Sequence, residues 1–290
     1  NKTLHYTSFV KMVSDKILTK YGYGLLKKYG SKAELETIIR DTTVTPKNVF
    51  QVSQNVAENE NDGTFCVCVE TKKYLYVPKC YGLQHFGLPD EIKISPPTSL
   101  SLAFKGTLLS HQHAPVDEYL KNAKNPKSMG GILQLPPGSG KTVMALYIMC
   151  QLRVKTLIIV HKDFLLNQWK ERIQQYVPDA RIGLLKQKLV ETSDCDITIA
   201  SLQSLSMKTY DDDTFDDFGL VIIDECHHVA AQVFSRALLK VNFKYALGLS
   251  ATVNRKDGLS KVFKWFIGDI VYRVLSKESK VTCEVEMCTY

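Results

Sequence analysis

The chain has 290 residues, 44% of them hydrophobic, with 37 basic against 30 acidic side chains and a formal net charge of +7. That length predicts about two domains, and the apolar content excludes a long disordered chain. No apolar run approaches the ~20 residues that span a bilayer, and the opening NKTLHYTSFVKMV lacks the apolar stretch of a signal peptide. Basic charge of this size is common in soluble proteins that never meet nucleic acid. The eight cysteines form no ladder of CxxC pairs. Cys66, Cys68 and Cys80 have only His85 as a candidate fourth zinc ligand, so they read as buried free thiols in an intracellular, reducing compartment. A chain that opens on Asn reads as a fragment or trimmed form.

In chain order, residues 8–21 (SFVKMVSDKILTKY) suggest an amphipathic helix that ends at a Gly-Tyr-Gly break, and 32–40 (KAELETIIR) a second helix. Polar VSQNVAENENDG leads to two short strands, TFCVCVE and YLYVP, with their turn at Thr71-Lys72-Lys73. A small α+β module over 1–95 follows from this pattern, and the Pro/Ser-rich 92–101 reads as a linker. Beyond it strands and helices alternate: strand 131–135, helix 141–152, strand 156–160, helix 164–175, then strands near 182–185, 197–200, 219–223 and 246–249. Such alternation predicts an α/β domain, a parallel doubly wound sheet with helices on both faces.

Residues 130–142, GGILQLPPGSGKT, run from an apolar strand through a Gly-rich turn into a helix. Backbone N–H groups at a helix start face an anion, and the helix dipole favours negative charge there. Pro137, Gly138, Ser139 and Gly140 would form the turn, Lys141 would reach the outer phosphates, and the Thr142 hydroxyl would sit on Mg²⁺. Leu135 occupies the position where the full phosphate-loop pattern has its first Gly. Downstream, FGLVIIDECHH (218–228) is a wholly apolar strand that ends in two acids. The carboxyl ends of buried parallel strands are where such sheets bind ligands. Asp224 there can hold the Mg²⁺ shell and Glu225 can deprotonate an attacking water. Trp169 reads as a core residue of its helix rather than a stacking platform.

GSGKT, DECH and Ser250-Ala251-Thr252, in that order, resemble motifs I, II and III of superfamily 2 helicases of the DExH kind, over residues 104–275. Residues 156–173 and 196–205 look like motifs Ia and Ib, and 247–258 (LGLSATVNRKDG) resembles the extended motif III of the XPB-type branch. LLSHQ (108–112) lies where that branch reads adenine; Gln112 fits the contact and Leu109 replaces an Arg. TTVTPKN (42–48) and KKYLYVPKCYGLQHFG (72–87) look like the amino-terminal region of helicases from large cytoplasmic DNA viruses, related to the poxviral transcript-release helicase.

The resemblance implies a first RecA-like ATP-binding domain over 96–280, with 281–290 starting the connection to a second. It implies an ATP hydrolase using ATP and Mg²⁺, with Lys141, Asp224 and Glu225 catalytic, and His227, Ser250 and Thr252 coupling phosphate state to nucleic acid. His161, Lys162, Ser201, Asn254 and Arg255 would track one strand of DNA, duplex or single and without sequence preference; RNA remains open. Arginine fingers from the second domain would leave this chain alone poorly active. Residues 1–95 would meet transcription proteins, in a host cytoplasm or virion if the source is viral. Two rivals stay open: the translocase subunit of a restriction-type enzyme, and a helicase-like scaffold.

Overall fold

The computed structural model describes residues 15–28, 30–47, 63–225, 230–252 and 257–274. Residues 8–14 of the expected first helix, His227, His228, Asn254, Arg255 and the 281–290 connection lie outside the described residues.

The first part forms strands β1 (Lys16–Thr19) and β2 (Gly22–Leu26), helix α1 (Lys32–Thr42), strands β3 (Thr43–Val44), β4 (Phe65–Cys66), β5 (Val69–Glu70) and β6 (Tyr74–Val77), helix α2 (Lys79–Phe86) and strand β7 (Glu91–Ile92). The helix expected across Lys16–Tyr21 is instead half of a hairpin. Ile17 and Leu18 are both buried, so the segment has two covered faces rather than one helical stripe. Gly22, at φ +107, allows the turn. Five strands pair in the order β5-β6-β2-β1-β7, while β3 and β4 pair separately. Helix α1 matches its expectation and opens on a capping box, Ser31 with Glu34.

The remaining chain gives α3 (Ser110–Ala123), β8 (Gly130–Gln134), α4 (Lys141–Leu152), β9 (Thr156–Val160), α5 (Asp163–Tyr176), β10 (Ile182–Lys186), β11 (Leu189–Val190) and β12 (Ile197–Ser201). It continues through α6 (Leu202–Met207), β13 (Leu220–Asp224), α7 (Ala231–Leu238), β14 (Tyr245–Ser250), α8 (Ser260–Ile267) and β15 (Ile270–Arg273). The strand order is β11-β10-β12-β9-β13-β14-β8-β15, and each pairing is parallel except that of β10 with β11. Side chains alternate between faces as a strand requires. Leu157, Ile159, Val221 and Ile223 pack with α7 and α8, whereas Ile158, Val160, Leu220 and Ile222 pack with α3, α4 and α5. The sheet is therefore covered on both sides, and each buried aliphatic contributes roughly 1.5–3 kcal/mol.

The small sheet is not self-contained. Val44 and Val67 are buried in the same cluster as Val221 and Phe234 of the large domain. The buried Lys79, first residue of α2, donates to the Lys244 carbonyl at 2.7 Å and lies 4.8 Å from the Phe243 ring centre. Burial pushes its ammonium down from 10.5 to about 8. Between those values the unfolded chain holds a proton that the native one has released, so native stability rises with pH across this window. Relative to Lys79→Met, the wild type should gain roughly 2 kcal/mol as pH climbs from about 8 towards 10.5. Urea titrations of both proteins at several pH values check this; a constant difference refutes it.

Candidate active site

Strands β8, β13 and β14 end on the same edge of the sheet, with Asp224 paired to Leu249 and Ser250 to Gln134 in register. This edge gathers the GSGKT turn, the DE pair and the SAT turn. Leu135 does not need to be glycine. It still belongs to the sheet edge, donating to the Ser250 carbonyl at 2.9 Å, and its side chain is buried in the core. The flexible positions come later. Gly138 and Gly140 have φ of +77 and +81, and a Cβ on Gly140 would come within 2.2 Å of Gln112 Nε2. Only glycine suits that position.

Gln112 is nearly fully buried on α3. Its Oε1 accepts from the Leu109 N–H at 3.0 Å, and its Nε2 donates to the Ser139 carbonyl at 3.1 Å. One side chain thus caps α3 and braces the turn that opens α4. Among the described residues Ser139 Oγ is buried without a hydrogen-bond partner. A buried hydroxyl in a glycine turn at the start of a twelve-residue helix suits an anionic ligand. Asp224 and the Thr142 hydroxyl are hard oxygen donors suited to Mg²⁺, so the residues present fit both ATP and its metal.

Lys141 Nζ lies 2.9 Å from Glu225 Oε1 and 3.4 Å from the Leu135 carbonyl. Glu225 has φ +48, a left-handed conformation uncommon outside glycine and often found at functional sites. Asp224 is 8% exposed, and Trp169 Nε1 donates to its Oδ2 at 2.9 Å. Burial pushes the Asp224 carboxyl above its usual range, and the Glu225 charge adds to this; the Trp169 N–H and the Lys141 charge oppose it. A bound cation would favour the carboxylate. Trp169 is a core residue, as expected, but its polar tip reaches the acid pair. No spacing in the sequence signals that bond, since 55 residues separate the partners.

The SAT turn is built from its own groups: Ser250 is fully buried and its hydroxyl donates to the Thr252 carbonyl, while Thr252 is exposed. His161 and the exposed Lys162 follow β9, and Ser201, mostly buried, ends the neighbouring β12. Those three share the edge that carries the acids. The basic stretch from Lys155 to Lys188 is not one free cationic face. Lys155 is buried against Asp217 at 2.6 Å, Arg181 grips Asp196, and Lys186 meets Asp163 at 2.9 Å. These acids lie far off in sequence or on a neighbouring element, so the fold neutralises part of the positive charge in this stretch.

Residues 105–255, more than half of the chain, match the family model described as the res subunit of type III restriction enzymes. The chain is 34% identical over 258 residues to L396 of Acanthamoeba polyphaga mimivirus, assigned by inference as an ATP-dependent RNA helicase. That match takes in 88% of this chain and 48% of the mimivirus protein. It is 33% identical over 196 residues to the DNA 3'-5' translocase XPB2 of Sulfurisphaera tokodaii, covering 66% of this chain and 42% of that one. Among solved structures, the UvsW helicase of bacteriophage T4 aligns with a TM-score of 0.58 at 16% identity, over 83% of this chain and 93% of that one, a likeness of fold. The chain spans about half the length of these curated relatives. Among the described residues no helix is long and apolar enough to cross a membrane.

Proposed function

This chain belongs to the superfamily 2 helicase family whose model is described as the type III restriction enzyme res subunit, and from that premise we propose that it is the ATP-binding part of a nucleic-acid motor. The observation that carries the proposal is the convergence of Lys141, from the glycine turn, with Glu225 at the end of β13, 2.9 Å apart and beside the buried Asp224. ATP is the substrate. Residues 137–142 hold its phosphates, Gln112 contacts adenine from behind the turn, and Thr142 with Asp224 hold Mg²⁺. The metal supplies positive charge against the charge that develops on the transferred phosphoryl group. Glu225 takes the proton of the attacking water, in a cleft where fixed charges act strongly.

His161, Lys162 and Ser201 contact the sugar–phosphate backbone, which positions a strand without reading its sequence. Asn254, Arg255 and His227 join them in the nucleic-acid and coupling roles, as do Ser250 and Thr252. The two relatives' names point to different nucleic acids, RNA for the mimivirus protein and DNA for XPB2. DNA is the substrate proposed here, in viral transcript release or in repair and replication. A second reading, the translocase subunit of a restriction-type enzyme, has the family description in its favour; a nuclease motif in the longer protein would select it.

The test is steady-state phosphate release, in a chain extended through the second RecA-like domain that the resemblance implies, with and without duplex DNA, single-stranded DNA and RNA, repeated across a salt series. Stimulation by DNA is expected. The DNA concentration needed should rise by an order of magnitude or more between about 50 and 200 mM salt, because released counterions drive the binding. Salt-independent, sequence-selective stimulation would overturn the backbone-tracking assignment. Tight ATP binding with no stimulation by any nucleic acid would favour the scaffold.

A further inference from the structure

Cys66 and Cys68 have no part in the nucleotide site. Alternation puts both on one side of an extended chain, where a regular strand would set their Cα atoms about 6.6 Å apart. The chain does not stay regular. Cys66 pairs with Thr43 of β3, whereas Val69 pairs with Tyr76 of β6, so the backbone changes sheets between the two cysteines. Val67 at the crossing is fully buried in the core of the large domain, and its N–H donates to the Thr42 carbonyl at 3.0 Å. With the middle residue anchored, the two sulfurs meet at 2.8 Å.

The reading of both as buried thiols is thereby corrected: Cys66 is exposed and Cys68 half-buried. The Cys68 N–H lies 3.4 Å from Cys66 Sγ and the Thr42 hydroxyl 3.8 Å from it. Above all the Cys68 thiol, and then these neighbours, hold Cys66 well below the usual thiol range, while the same sulfur contact and burial raise Cys68. Burial raises Cys80, Cys150 and Cys195 as well. Among the described residues no group of three or more His, Cys, Asp or Glu could hold a metal ion. The pair therefore lacks a zinc site's ligand set and has the features of a reactive dithiol.

We propose that Cys66 and Cys68 form a thiol–disulfide exchange site that takes low-molecular-weight disulfides of the glutathione class. The Cys66 thiolate attacks one sulfur of the small disulfide, forming a mixed disulfide and expelling one small thiolate. That thiolate takes up the Cys68 proton. Cys68 sulfur then attacks Cys66 sulfur, the mixed disulfide breaks, and the second small thiolate leaves and is protonated by solvent. Two electrons pass from the protein dithiol to the small disulfide, which ends as two thiols.

The test treats the folded chain with oxidised glutathione, blocks the remaining thiols and maps peptides by mass. The peptide that spans 65–70 should lose two hydrogens, at a rate at least about ten-fold above glutathione addition to Cys195. In Cys68→Ser glutathione should add to the exposed Cys66 more slowly, because the neighbouring thiol no longer lowers it, and should then stay there, because no second thiol resolves it. In denaturant the preference for Cys66 should vanish, since it rests on the folded approach of the two sulfurs. Equal rates at Cys66 and Cys195 in the folded chain would overturn the proposal. So would a Cys68→Ser protein of native circular dichroism that accumulates no adduct.

Discussion

Glu225→Gln should bind ATP at least as tightly as the wild type and yet lose 10²–10⁴-fold in nucleic-acid-stimulated phosphate release, the usual contribution of a general base. Glutamine keeps the shape of the side chain but cannot accept the proton of the attacking water. Its effect on binding follows from the ion pair. Lys141 is held at 2.9 Å by Glu225 Oε1, with the two side chains only 10% and 25% exposed. A neutral partner releases the ammonium for the phosphates, so affinity should hold or improve. The family resemblance implies arginine fingers from a second RecA-like domain, so turnover is compared in a chain extended through that domain. Nucleotide titration and phosphate release on the same preparations separate the two effects. Undiminished hydrolysis would remove Glu225 from the base role. A loss of binding as large as the loss of turnover would make it a support for Lys141 instead.

The parts of the molecule that chain-local rules govern were legible. Strands β8, β9, β13 and β14 are dominated by apolar residues, because a sheet covered on both faces leaves no polar side. Their ends locate the GSGKT and DE residues with no further information. What stayed hidden depends on partners distant in sequence. The β1–β2 hairpin exists through pairing with β6 and β7, more than 45 residues away. Helix α3 buries Gln112, Pro115, Val116, Tyr119 and Ala123, a helical stripe disguised by an amide and a proline. Gln112 was picked out for adenine, and its burial has a second cause, the bracing of the Ser139 carbonyl. Nothing local to Lys155 signals that it is buried, because its partners, Asp217 and the Thr192 carbonyl, lie far along the chain.

Trp169→Phe should weaken Mg²⁺-dependent nucleotide binding by roughly 10–100-fold, the usual cost of removing a group that orients a metal-binding carboxylate. The indole sits on α5 and is 2% exposed. A buried Trp N–H requires an acceptor, and here the acceptor is Asp224 Oδ2 at 2.9 Å. Phenylalanine keeps most of the packed ring against Leu166 and Ile173 but removes the side-chain donor that orients Asp224 Oδ2. Helix α5 also follows directly on His161 and Lys162, so the same bond ties the proposed strand-contacting segment to the acid pair. A packing defect alone would lower the denaturation midpoint without changing how affinity depends on metal. The discriminating measurement is therefore binding of a fluorescent ATP analogue across a Mg²⁺ series and in chelator, beside a urea titration. Affinity in chelator should match the wild type, and the Mg²⁺-induced gain should shrink. Loss of stability with an unchanged Mg²⁺ response would reduce Trp169 to a packing residue.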